Sequence, residues 1–70
     1  MKPIAVLAGN YQQFLDWCKD NPQERGIYCN EWPQFAGIEF VRMVEVGTFR
    51  ERKDASDLRQ RVAVMVRTNI

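Results

Sequence analysis

The sequence predicts an α/β fold: a small three-stranded parallel sheet, strand order 2-1-3, with flanking helices in the chain order β-α-β-α-β-α. Three observations carry that prediction. The run Ile4-Ala5-Val6-Leu7-Ala8 is continuously apolar rather than alternating, which suits a strand covered on both faces. It ends at Gly9-Asn10 and passes straight into residues with helical spacing. A second run rich in branched residues, ending Met43-Val44-Glu45-Val46, meets Gly47-Thr48 in the same manner. Strands alternating with helices pair in parallel through right-handed crossovers. The wholly apolar first strand then takes the centre.

The elements follow in order. Gly9 is expected to supply a positive φ at a sharp turn. Asn10 is a good helix N-cap, and Gln13 stands three residues later, as in a capping box. Tyr11, Phe14, Leu15 and Cys18 fall at i, i+3, i+4 and i+7, so they form the stripe expected to pack on the sheet. Trp17 lies beside that stripe. Asn21-Pro22 ends the helix, because the residue before proline avoids the α region. Gly26-Ile27-Tyr28-Cys29 reads as the second strand. Asn30 is expected to cap a brief helical turn over residues 31–36, closed by Gly37. The third strand is predicted over Ile38 to Val46. Glu45 within it requires either an edge position or a facing cation, since carboxylates are seldom buried unpartnered.

From Asp54 to about Arg67 two patterns compete. Val62, Val64 and Val66 alternate as in a strand, while Ala55, Leu58, Val62, Met65 and Val66 share one helix stripe. No turn residue interrupts the segment, and Asp54 with Asp57 favours a helix start, so a helix is predicted.

Seventy residues make a single domain spanning 1–70. With no histidine to join Cys18 and Cys29, no metal site is predicted, and both thiols are expected to be reduced and buried. The longest apolar run near the start is too short for a membrane span or a signal core, so a cytoplasmic protein is expected. Residues 1–49 carry four basic and six acidic groups, and residues 50–70 carry six basic and three acidic groups. With a net charge of only +1, nucleic acid is not the expected partner, and no membrane contact is expected.

The chemistry-bearing candidates are few. The turn Gly9-Asn10 and the turn Gly47-Thr48 each lead toward a helix N-terminus, where N–H groups and the dipole favour an anion. Gly9, Asn10, Gly47, Thr48 and Arg50 are therefore the candidate anion-binding residues, although neither turn carries a full phosphate-loop motif. The plainer reading is that any βα connection uses such a glycine. Cys29, at the end of the second strand, is a candidate nucleophile with no visible activating base, and Ser56 reads as a helix-start residue. No set of residues in catalytic roles is visible, so the chain is not read as an enzyme and no cofactor is predicted. Exposed Trp and Arg anchor protein interfaces, which makes Trp17, Trp32, Arg50 and Arg52 the candidate contacts. The competing reading for both tryptophans is core packing. A three-stranded sheet also leaves two edges open to self-association into a homo-oligomer.

The segments Val6-Leu7-Ala8-Gly9-Asn10-Tyr11-Gln12-Gln13-Phe14 and Val46-Gly47-Thr48-Phe49, followed by Arg50-Glu51-Arg52-Lys53-Asp54, resemble a loose set of short bacteriophage-encoded Rossmann-like α/β proteins. The resemblance implies a compact Rossmann-like fold and an accessory role in the host cytoplasm, with a host protein as partner. Because such proteins are commonly of unknown function, no catalytic residue carries over. Glu45 departs from the fully apolar last strand that the resemblance implies.

Overall fold

The computed structural model describes residues 2–30, 38–51 and 54–68; the side chains of Arg50, Glu51, Arg67 and Thr68 are not part of that description. Strands β1 (Ile4–Ala8), β2 (Gly26–Cys29) and β3 (Arg42–Val46) form one parallel sheet in the order β2-β1-β3. Helix α1 (Tyr11–Asp20) joins β1 to β2, and helix α2 (Ala55–Thr68) follows β3 after a 3-10 turn over Gly47–Glu51. Two helices therefore flank the sheet among the described residues. The helical turn expected over residues 31–36, with Gly37, lies outside them.

Every residue of β1 is buried, as its apolar run requires. Alternation along the strand divides the core in two. Ala5 and Leu7 join Cys29, Phe40, Phe49 and the α2 residues Ala55, Leu58 and Val62 on one face. Ile4, Val6 and Ala8 join Phe14 of α1 on the other, with Trp17, Tyr28, Val44 and Val46 packed around them. At about 25 cal/mol per Å2 of apolar surface, these two layers are the chief stabilising term of so small a domain.

Helix α1 begins as predicted at its cap: Asn10 Oδ1 accepts from Gln13 N–H at 2.9 Å. Its end is closed by Asn21, whose backbone N–H donates to Cys18 O at 3.2 Å and whose side-chain Nδ2 donates to Trp17 O at 2.8 Å. The buried face differs from the predicted stripe. Phe14 is buried and Trp17 and Cys18 are half-buried, whereas Tyr11 and Leu15 are 56% and 40% exposed. The cause sits on β2. Gly26 has no side chain, and a Cβ there would stand 2.8 Å from Trp17 Cζ3, so the indole fills the space the glycine leaves. That contact turns α1 toward its 14-17-18 face.

Two further expectations are corrected. Gly9 does not adopt a positive φ; Gly47, at φ 64°, is the glycine that does among the described residues. Strand β3 starts at Arg42 rather than Ile38. The preceding residues serve the core differently: Phe40 is fully buried, and Val41 N–H donates to Pro3 O at 2.9 Å. In the last segment the helix prevails over the alternating pattern. Val62 is buried while Val64 is 56% exposed, and Met65 and Val66 pack against the core. No helix among the described residues is long and apolar enough to cross a membrane.

Candidate functional site

The carboxyl edge of the sheet brings the two glycine turns together. Parallel pairing of β1 with β3, in register from Ile4↔Arg42 to Ala8↔Val46, delivers Gly9 and Gly47 to neighbouring strand ends. The turns then touch. A Cβ on Gly9 would lie 2.5 Å from Thr48 Oγ1, so glycine is required there for close approach rather than for its φ. Gly47 faces the carboxamide of Gln13, which a side chain at that position would strike.

Gln13 is the group that joins them. Its Oε1 accepts from Gly9 N–H at 3.0 Å, and its Nε2 donates to Thr48 Oγ1 at 3.3 Å. A capping box would send this side chain to the N-cap residue's own N–H. Here it reaches one residue further back and spans to the other turn. Of the five anion-binding candidates, Gly9, Asn10, Gly47 and Thr48 converge at this edge, and Arg50 follows in the 3-10 turn with its side chain outside the description. The space between the turns is filled by Gln13, and Asn10 Oδ1 is engaged with the first turn of α1.

A second surface adjoins the first. Tyr11, in the first turn of α1, packs against Phe14 and Tyr28, with all three ring centroids 5.4–5.5 Å apart. Leu15 follows Tyr11 by one helical turn and is likewise exposed. Edge-on and tilted rings at this separation attract beyond their area burial, so the rings favour this grouping. Sequence spacing placed Tyr11 and Leu15 in the core; the Trp17–Gly26 contact, which spacing does not reveal, leaves them at the surface.

Of the interaction candidates, Trp17 is half-buried over Gly26 and belongs mainly to packing. Trp32 and Arg52 lie outside the described residues.

The candidate nucleophile is inert by its surroundings. Cys29 is fully buried, its thiol donates to Ile27 O at 3.4 Å, and burial pushes its pKa from 9.0 to about 12, with a hydrogen bond to the Val6 backbone opposing the rise. Cys18 and Cys29 are both free thiols, the first half-buried. Among the described residues no three Cys, Asp or Glu side chains gather to hold a metal ion.

Glu45 satisfies both conditions set by its sequence position. It lies on an edge strand, and its Oε1 accepts from Arg59 Nε at 2.5 Å. Arg59 also lies over the Phe49 ring, 5.2 Å from its centroid, so it straps α2 to β3 rather than facing solvent freely. Arg61 pairs with Asp57 one turn away at 2.9 Å, which neutralises part of the basic terminal segment.

Comparison with protein-family models, with curated proteins and with solved structures found no match.

Proposed function

We propose that this chain is a small accessory protein of phage type that binds another protein and modulates it, with the Tyr11–Leu15 surface as its principal contact. The observation that carries this reading is the exposure of two large apolar side chains one turn apart on α1, beside the ring group formed with Phe14 and Tyr28. Tyrosines are effective interface anchors, because little side-chain freedom is lost when they are covered. Trp32, Arg50 and Arg52 are further candidate contacts, and a host cytoplasmic protein is the partner the reading implies.

The test is quantitative capture from bacterial lysate with wild-type protein and with Tyr11→Ala, Leu15→Ala, each first shown by circular dichroism to be folded. A partner bound by wild type should lose about thirtyfold in affinity when an anchor contributing roughly 2 kcal/mol is truncated. Equal capture of every protein by wild type and both variants defeats the reading.

A second reading, nucleotide or phosphate binding at Gly9, Asn10, Gly47, Thr48 and Arg50, is favoured by the convergence of the two turns at one edge. The Gln13 carboxamide between them counts against it. A nucleotide at 100 times its Kd would add about 2.7 kcal/mol of stability. Absence of any thermal shift across a nucleotide panel excludes it.

A further inference from the structure

In an open α/β sheet of order 2-1-3, the direction of winding reverses between the first and third strands, and ligands enter at that crevice. Here the crevice is closed by a side chain of the chain itself. Gln13 holds Gly9 N–H on the β1 side and Thr48 Oγ1 on the β3 side, across 35 residues of sequence. The closure is made of polar groups and glycine: Gly9, Asn10, Gln13, Gly47 and Thr48. Thr48 is exposed, Gln13 is half-buried, and the bond between them, at 3.3 Å, is just longer than the ordinary range. The strand beneath is different in kind, with Val6, Leu7 and Ala8 fully buried.

We propose that Gln13 is a latch, and that the crevice between the β1 and β3 turns opens by local motion while the sheet stays folded. Exposed neutral hydrogen bonds add little net stability, and regions closed by few apolar contacts open well below the global unfolding free energy. Release of the carboxamide uncovers Gly9 N–H at the winding reversal and uncouples the start of α1 from the 3-10 turn that leads to α2. The two glycines make this possible. Each lacks the Cβ that would collide with Thr48 or Gln13, so no side chain has to repack when the latch leaves or returns.

Native-state hydrogen exchange, read residue by residue by NMR, tests the latch. The Gly9 amide should exchange much faster than the Val6 amide, at a rate insensitive to low urea, while Val6 exchange rises with urea as global unfolding requires. Thr48→Val keeps the shape beside Gly9 and removes the hydroxyl that ties Gln13 to β3. It should raise Gly9 exchange about two- to tenfold, the worth of one net hydrogen bond, although Thr48 does not bond that amide. Gln13→Ala should raise it further. Gly9 exchange that tracks Val6 at every urea concentration overturns the proposal, and so does an unchanged Gly9 rate in Thr48→Val. If Gln13→Ala weakens the whole fold, the wild-type urea dependence and Thr48→Val still decide.

Discussion

Gly26→Ala probes the contact that sets the orientation of α1. The added methyl would sit 2.8 Å from Trp17 Cζ3, 3.0 Å from Val6 Cγ2 and 3.3 Å from Phe14 Cε1. Ordinary contact begins near 3.5 Å, so the indole must give way and two core side chains must yield with it. Overpacking of this kind costs about 1–3 kcal/mol. Against it stands a gain of about 0.4–1 kcal/mol, because alanine restricts the unfolded chain and Gly26 does not have a positive φ. The net expectation is a loss of about 1–2 kcal/mol. For a domain of this size each kcal/mol moves the Tm by about 4–8 °C, so the midpoint should fall by about 5–15 °C.

The assay is urea denaturation followed by circular dichroism, for wild type, Gly26→Ala, Trp17→Phe and the double variant. Trp17→Phe removes the ring atom that the methyl meets. It should therefore cost less on the Gly26→Ala background than in wild type, a positive coupling measured by the double-mutant cycle. A neutral or stabilising Gly26→Ala, or strictly additive effects, would show that the indole does not occupy the space above Gly26.

Two further expectations separate the readings of the terminal segment and of Cys29. Val62→Ala should lower stability by about 2–3 kcal/mol and Val64→Ala by less than about 0.5 kcal/mol, because the helix buries the first and exposes the second; equal losses would favour a strand-like alternation. At pH 8 a thiol-specific reagent should modify Cys18 well before Cys29, since burial raises the Cys29 pKa from 9.0 to about 12 and thereby suppresses its thiolate. The unfolded thiol loses its proton at lower pH than the folded one. The stability this confers is complete below about pH 9 and is lost as the pH rises toward 12, which a set of denaturation curves across that window will register. Modification of Cys29 as fast as Cys18 would refute its burial.

Much of the architecture was legible because local rules and tertiary demands agree. The unbroken apolar run Ile4–Ala8 suits a strand covered on both faces, and such a strand belongs at the centre of the order β2-β1-β3. The Asn10 cap, the Asn21-Pro22 stop and the Ala55–Leu58–Val62 stripe are likewise decided within a few residues. What could not be read depends on contacts distant in sequence. Nothing near Trp17 announces that Gly26 will leave a space for it, so the stripe was expected one position too far round and Tyr11 and Leu15 were placed inside. Gly9 reads as a turn glycine, yet what forbids a side chain there is Thr48, brought alongside by strand pairing. The partners of Arg59, Glu45 and Phe49, are likewise distant in sequence and meet it only in the fold.

Pairing of β1 with β3 changes what the two glycine turns mean. In sequence they are separate, and each lacks the further glycines and the lysine of a phosphate loop. In the fold they are one structure, with Gln13 bridging a backbone N–H of the first to a hydroxyl of the second. A residue in the first turn of a helix whose side chain also spans to another strand end couples secondary structure to tertiary structure. Gln13→Glu distinguishes the two roles physically. A carboxylate keeps the acceptor for Gly9 N–H and suits a helix N-terminus, where negative charge is favoured by about 0.3–1 kcal/mol. It has no amide N–H, so only donation by Thr48 Oγ1, which already stands 3.5 Å from Gln13 Oε1, can cross the gap. If the acceptor contact with Gly9 dominates, the variant is at least as stable as wild type; if donation to Thr48 dominates, it is weaker and Thr48→Val has no further effect in it.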